Sequence, residues 1–571
     1  MVSIQGTSRV ELEKLIALFN SSRSLPTNQV YLALINSFDM FVVTGRLNVV
    51  VQFVHFIRQH CAAPGTDQSR IPFTQRKHVI SISYQNSVDW IGKLDDKKNW
   101  SYNCGGTQAI PSVKVNGIDI SSGINLDEMV ACVLFTDLFD WPKTLKGADA
   151  AHIVDFSPGG FSTFARLARG IIDGSGVNVI SCSSLLAHKN RLLGPKADLF
   201  QRDIRSVTRS MDWKRVFSPK LVCVKSSGQV HIDSPMFHAL GMPPVMVSAM
   251  EPSVTSVHLV AAAINAGYHA ELSITGVANA SQLHKRVTGL VELIEPGQGI
   301  TLSCDYSTQE QWSVLFLEIL RMRRDGQPIT GLSISGSIPP LSPASEIVSS
   351  IKDAGLRHIT LKASTLEDIR SAIAISKVDH EFPVIMQWMG GRNSGYHSWD
   401  DFYQPILETY SLLRFHRNIV LVAGSGVGDM ESAIKYVSGQ WSVPFGRSPM
   451  PFDGVALGSR VLIAKESGLN DAAKQLIADT AGVAANEWTD SSSGVAGGVT
   501  SVVGENGQPM HVLATRAALF VKELQDMIFS QPADKQAELI QAKRDYIIHC
   551  LNSDYVKPWF GKKADGSVVD T

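Results

Sequence analysis

The 571-residue sequence is 44% apolar and 18% charged, with a formal net charge of -1 and a pI near 7. A chain of this length buries a large core and divides into two or more domains, and its even charge balance argues against nucleic acid or an anionic membrane surface as partner. The longest apolar runs, such as the one around Leu47 to Ile57, fall short of the roughly 20 residues that cross a bilayer, the N-terminus lacks a basic-then-apolar signal pattern, and the seven cysteines include no C-x-x-C pair. A cytoplasmic protein without a membrane span, zinc site or disulfide framework is expected.

The first two hundred or so residues carry amphipathic stretches from Val10 to Phe19 and from Asn48 to Gln59, then a polar, aromatic-dotted loop region around Trp90 to Tyr102. This part, residues 1–219, reads as mixed α/β without a repeat. The Ser- and Lys-rich segment near Pro219 to Ser234 marks a domain boundary.

From about Pro244 a regular beat begins, in which short β-rich apolar runs alternate with helical patterns of ten to fifteen residues. The runs are PVMVSAM ending at Met250, HAELSI at Ile274, GITLSCD at Asp305, ITGLSIS at Ser335, HITLKAS at Ser364, PVIMQWM at Met389, NIVLVAG at Gly424 and GVALGSR at Arg460. Continuous apolar strands joined by crossover helices indicate a parallel sheet covered on its outer face. Eight such units predict an α/β fold, a (β/α)8 TIM barrel, over residues 220–465. After Arg460 the pattern turns helical, with stretches from Ala514 to Phe529 and from Ala533 to Leu551, so residues 466–571 are expected to form a helical extension packed on the barrel.

In a barrel of this kind the loops following the strands carry the chemistry, and those after the seventh and eighth commonly hold phosphate. After the seventh run stands Gly424-Ser425-Gly426-Val427-Gly428, and after the eighth Gly458-Ser459-Arg460. Glycines let backbone N–H groups approach a phosphate, and Arg460 adds a charged donor. The alternative is ordinary turn chemistry. Gln387 and Lys362 are polar groups at the ends of apolar strands, suited to a flavin carbonyl or phosphate, and equally to the role of satisfied buried polar residues.

Longer motifs make the reading specific. Gln387-Trp388-Met389-Gly390-Gly391-Arg392 followed by His397-Ser398, Asp401 and Pro405, the V-L-V-A-G-S-G-x-G of Val420 to Gly428, P-M-P-F-D-G…G-S-R…A-K-E from Pro449 to Glu466, Asn265-Ala266-Gly267-Tyr268, and K-R-D-Y-I-I…K-P-W-F near the end resemble the enoyl reductase region of the fungal fatty acid synthase β subunit. Asp67 to Phe73 and Asp155 to Gly160 resemble closing segments of the acyltransferase domain that precedes it. The resemblance implies an FMN-binding barrel, with NADPH as reductant, a small-molecule or carrier-tethered acyl substrate and a synthase subunit as partner. The strand-end reading and the resemblance imply cofactor contacts at Ala249, Met250, Asn265, Lys362, Gln387, Gly390 and Gly391, together with Gly424, Ser425, Gly426, Gly428, Gly458, Ser459 and Arg460.

The departures matter as much. No G-x-S-x-G elbow occurs, and where the family presents its acyltransferase histidine the sequence reads Ser83-Tyr84-Gln85-Asn86-Ser87-Val88-Asp89-Trp90, so a truncated, inactive remnant is expected. In the reductase, the family's G-G-H-H-S is Ser394-Gly395-Tyr396-His397-Ser398, with Tyr396 replacing the histidine taken as catalytic. Its G-M-T-P is Ala249-Met250-Glu251-Pro252. Tyr396, with His397 in reserve, is therefore the candidate acid of an enoyl-thioester reduction. Glu251 is the candidate base of an oxidative or isomerising variant, and a non-catalytic FMN-bound scaffold is the third alternative.

Overall fold

A computed structural model describes residues 2–60 except 6, 8, 38 and 39, short stretches between 81 and 181, and 211–552 except 224–227, 229, 251–254, 401, 485–486, 505–506 and 508. The chain forms two compact units, Met1–Val216 with Ser438–Pro451, and Phe217–Val437 with Phe452–Thr571.

The first unit is mixed α/β. Its five-stranded sheet runs in the order Ser81–Tyr84, Val2–Gln5, Met40–Thr44, Tyr31–Ile35, Phe139–Asp140. The two amphipathic stretches form the helices Arg9–Ser21 and Leu47–His60. Leu12, Leu15 and Phe19 of one, and Val50, Phe53 and Ile57 of the other, recur at the three-to-four spacing of a helix face and pack with Ile4, Phe41 and Val43 of the sheet. The expected loop around Trp90 to Tyr102 and the Asp67–Phe73 motif lie outside the described residues.

The second unit contains a closed barrel of eight parallel strands, as the eight apolar runs predict. These are β1 (Val245–Val247), β2 (His269–Ser273), β3 (Ile300–Asp305), β4 (Ile329–Ser335), β5 (His358–Ala363), β6 (Val384–Trp388), β7 (Ile419–Ala423) and β8 (Gly454–Leu457). Closure pairs Val245 with Val455. The intervening helices begin on capping side chains where the sequence supplies them: Ser256, Asn279 and Thr365 accept from the N–H of Leu259, Gln282 and Asp368.

The barrel interior has two unlike halves. On one side Met246, Ile385, Val420, Val422 and Ala456 form an apolar cluster with Met236, whose helix, Pro235–Leu240, comes so close that a Cβ on Gly454 would lie 2.2 Å from the Met236 sulfur. On the other side, alternation along the strands turns polar residues to one face: His269 and Glu271 on β2, Thr301 and Ser303 on β3, Ser333 on β4, and His358, Thr360 and Lys362 on β5. His358 Nε2 lies 3.1 Å from Thr301 Oγ1, and its ring meets His269 edge-on at 5.4 Å. Burial pushes the pKa of both histidines down, so the two rings are uncharged at neutral pH.

Beyond the barrel the expected helices are present as Arg516–Leu524, Ala533–Ala542 and Arg544–Asn552, but the extension is not helical alone. Three antiparallel strands, β9 (Val495–Ala496), β10 (Val499–Val503) and β11 (Pro509–Leu513), form a sheet whose fourth strand, Gly395–Tyr396, comes from the segment after β6. Helical periodicity hid this sheet, because its strands are short and one partner lies more than a hundred residues away in sequence.

Candidate functional site

At the C-terminal ends of the strands, β1, β2, β5 and β6 bring a group of polar atoms together. Lys362 Nζ lies 3.0 Å from Glu271 Oε2 and donates to the Ala249 carbonyl at 3.3 Å and to Ser303 Oγ at 3.4 Å. Glu271 Oε2 also accepts from the Ala249 N–H at 3.1 Å. Gln387 Nε2 donates to Ser248 Oγ at 2.9 Å, and that hydroxyl lies 3.5 Å from the same carboxylate oxygen. Burial alone would raise the Glu271 carboxyl, but Lys362 and the Ala249 N–H outweigh it and hold the group below the ordinary carboxylate range.

Of the residues expected from sequence, Ala249, Lys362 and Gln387 are thus joined directly, and Met250 stands beside them, its backbone pinned by Thr255 through bonds of 2.6 and 2.9 Å. Glu271 and Ser248 complete the cluster and were not singled out from the sequence. The signal for Glu271 is a carboxylate flanked two residues either way by His269 and Ser273, a polar alternation that sets one face of the strand apart.

The two glycine loops stand at the same end. Gly424 has its N–H bonded to the Trp388 carbonyl, and a Cβ there would come within 2.6 Å of Gln387 Cγ and Met389 Sδ. Gly426 takes a φ of 75°, which only glycine adopts freely. The loop leads into the helix Met430–Val437, where Asp429 accepts from the Ser432 N–H at 2.8 Å. The Ser432 hydrogen bonds, aided by the Arg460 guanidinium, hold the Asp429 carboxyl below its usual range, an electrostatic link between the loops after β7 and β8. Ser459 donates to Ser394 Oγ at 2.9 Å, tying the loop after β8 to the segment after β6.

Gly390 and Gly391 are required by the packing of the segment after β6. A Cβ on Gly390 would meet Phe402 and Trp388 at 3.1 to 3.2 Å, and one on Gly391 would lie 2.5 Å from the Asp400 carbonyl. Both allow the chain to fold back on itself, a turn locked by the Trp388 Nε1 bond to the Phe402 carbonyl. Asn265 is not brought to this end at all. It closes the helix Val257–Asn265 ahead of β2, at the opposite mouth, where its amide donates to the Leu293 carbonyl and accepts from the Glu295 N–H. Its role there is structural, tying two loops together.

His397 is buried and fully engaged. Its Nδ1 is 2.7 Å from the Ser398 carbonyl, which can only accept, so the proton sits on Nδ1, and Nε2 lies 2.9 Å from Ser501 Oγ. Burial, with His511 adding to it, pushes its pKa down to about 4. The Tyr396 backbone pairs with Met510 of β11. Glu251 lies outside the described residues.

The groups at the C-terminal ends fit FMN. A lysine, a glutamine amide and the Arg460 side chain are the donors that a flavin and its phosphate require, and Glu271 Oε1, Ser333 Oγ and Thr360 Oγ1 are buried polar atoms on inward strand positions with no hydrogen-bond partner among the described residues.

A closed parallel eight-stranded barrel with such a rim is the architecture of a (β/α)8 enzyme barrel. A family model described as fatty acid synthase subunit beta/Fas1-like, helical, matches residues 383–571. Fatty acid synthase beta subunit pigK of Monascus ruber is 38% identical over 100% of this chain and 28% of its own length. The beta subunit aflB of Emericella nidulans is 35% identical over 100% of this chain and 27% of its own, and the fatty acid synthase subunit beta of Saccharomyces cerevisiae 34% identical over 98% and 28%. Over its length the chain is homologous to a segment of fungal fatty acid synthase β subunits, and it spans little more than a quarter of the curated relatives it matches. Among the described residues no helix is long and apolar enough to cross a membrane.

Proposed function

We propose that the barrel binds FMN at the C-terminal ends of its strands and reduces an α,β-unsaturated acyl thioester, fatty acyl or polyketide-like, held free or on a carrier. The observation that carries this reading is the convergence of the Lys362, Glu271, Ala249 and Gln387 cluster and the Gly424–Gly428 and Gly458–Arg460 loops on one end of one barrel. Homology to synthase β subunits supports it and points to a synthase subunit as partner.

FMN bound there would supply hydride-transfer chemistry, with NADPH as the source of reducing equivalents. The chain's own residues do the rest. Gly426, Gly428, Ser459 and Arg460 would hold the phosphate, while Lys362 and Gln387 would orient the ring and ribityl polar groups. The Tyr396 phenol gives its proton to the α-carbon, completing addition across the double bond. His397 is neutral at working pH and bonded at both nitrogens, so it holds the segment after β6 in place while Tyr396 acts. Residues 1–219, without a nucleophile elbow, carry no acyl transfer in this reading.

The test is anaerobic. NADPH should bleach the flavin of the FMN-loaded protein, and one thioester from a panel of enoyl, β-keto and saturated acyl compounds should restore the colour while being reduced. A flavin that NADPH does not bleach and no thioester perturbs would replace this reading with that of an FMN-bound scaffold.

A further inference from the structure

We infer that Glu271 is a positioning residue for Lys362 and that its carboxylate also makes the cofactor harder to reduce, an inference that rests on the FMN reading above.

The carboxylate works through a single oxygen. Glu271 Oε2 receives Lys362 Nζ at 3.0 Å, the Ala249 N–H at 3.1 Å and the Ser248 hydroxyl at 3.5 Å. Ser248 in turn holds the Gln387 amide. The ends of β1, β2, β5 and β6 are therefore keyed to one atom. A lysine head on a four-carbon stem has no intrinsic direction, and among its contacts with the described residues only Glu271 brings an opposite charge, the others being the Ala249 carbonyl and Ser303 hydroxyl.

The other oxygen decides the electrostatics. Glu271 Oε1 is buried and has no hydrogen-bond partner among the described residues, so part of the carboxylate charge is left without a donor from them in a region of low dielectric. Asp305, at the end of β3, is differently placed, since its Oδ1 accepts from the N–H and hydroxyl of Ser307 at 2.7 and 2.6 Å. Reduction adds negative charge to a flavin. The Lys362 ammonium favours that change and the Glu271 carboxylate opposes it, so the pair sets the potential between the values that either charge alone would give.

The midpoint potential of the FMN-loaded chain, measured by photoreduction against a reference dye, tests this. In Glu271→Gln the amide still accepts from Lys362 and Ala249 but the charge is gone, and the potential should move to a more positive value. Lys362→Met should move it to a more negative value, and the double variant should lie between them. A folded, flavin-loaded Glu271→Gln protein with the wild-type potential would overturn the inference. Should that single variant not fold, the double variant removes the buried pair together, leaving no unpaired charge. Its potential should lie above that of Lys362→Met at a pH high enough to keep the Glu271 carboxyl ionised without Lys362, and equal values there would overturn the inference. A wild-type chain that takes up no FMN overturns the flavin reading itself and is seen before any variant is compared.

Discussion

The imidazole of His397 stacks on that of His511, with centroids 3.7 Å apart and planes 9° from parallel. Each ring holds a backbone carbonyl through Nδ1, His397 that of Ser398 and His511 that of Asn393. The pair thereby clamps the segment that carries Tyr396 to the sheet of the C-terminal extension, and both rings must stay neutral for the stack to persist.

The clamp gives stability a defined pH dependence. Burial lowers His511 as well as His397, the latter to about 4 from 6.5. Between these values the unfolded chain binds a proton at His397 that the folded ring refuses. The His397 contribution is therefore fully present above pH 6.5 and declines as pH falls toward 4, by at most about 1.4 kcal/mol per pH unit, and His511 acts in the same direction. His397→Phe keeps a stacking ring without a titratable group, and its melting temperature should fall less steeply across that window. Parallel curves for variant and wild type would count against the clamp.

The two glycines flanking the loop after β7 should behave differently. Gly424→Ala forces a methyl to within 2.6 Å of Gln387 and Met389 and should cost about 1 to 3 kcal/mol of stability by overpacking, with FMN uptake impaired through Gln387. Gly428→Ala meets nothing within 4 Å, so denaturant unfolding should match wild type within about 0.5 kcal/mol. If its backbone approaches the phosphate, FMN affinity should fall all the same.

Arg460 is exposed, so Arg460→Ala should leave the fold intact while weakening FMN by about 1.5 to 3 kcal/mol, the range for a hydrogen bond to a charged group. Flavin fluorescence titration reads this directly. Unchanged affinity would remove Arg460 from the phosphate site.

Tyr396→Phe removes the phenolic proton and keeps the ring. Product formation from an accepted thioester should fall about 10²- to 10⁴-fold, as for loss of a positioned acid, while NADPH reduction of the flavin proceeds at the wild-type rate in stopped flow. Equal losses in both half-reactions would mean that Tyr396 supports the cofactor and does not deliver the proton.

The barrel was legible because each strand is a short apolar run between helical patterns, and local periodicity determines that much. The glycine loops were legible for the same reason, their place following from the count of strands. Glu271 was not, because an acidic residue reads as a surface position until its strand is known to face a polar interior. The pairing of Gly395–Tyr396 with β11 was also hidden, since it joins a two-residue strand to a partner beyond β8. Asn265 shows the converse error: its motif resembles the family's, but the helix it closes leads into the N-terminal end of β2, away from the loops that follow the strands.

The most direct test of the flavin reading is the absorption spectrum of the purified chain after incubation with FMN and removal of excess ligand. The barrel reading predicts a yellow protein with about one FMN per chain, its absorption bands shifted from those of the free cofactor. A colourless protein that retains no FMN at any concentration used would contradict it.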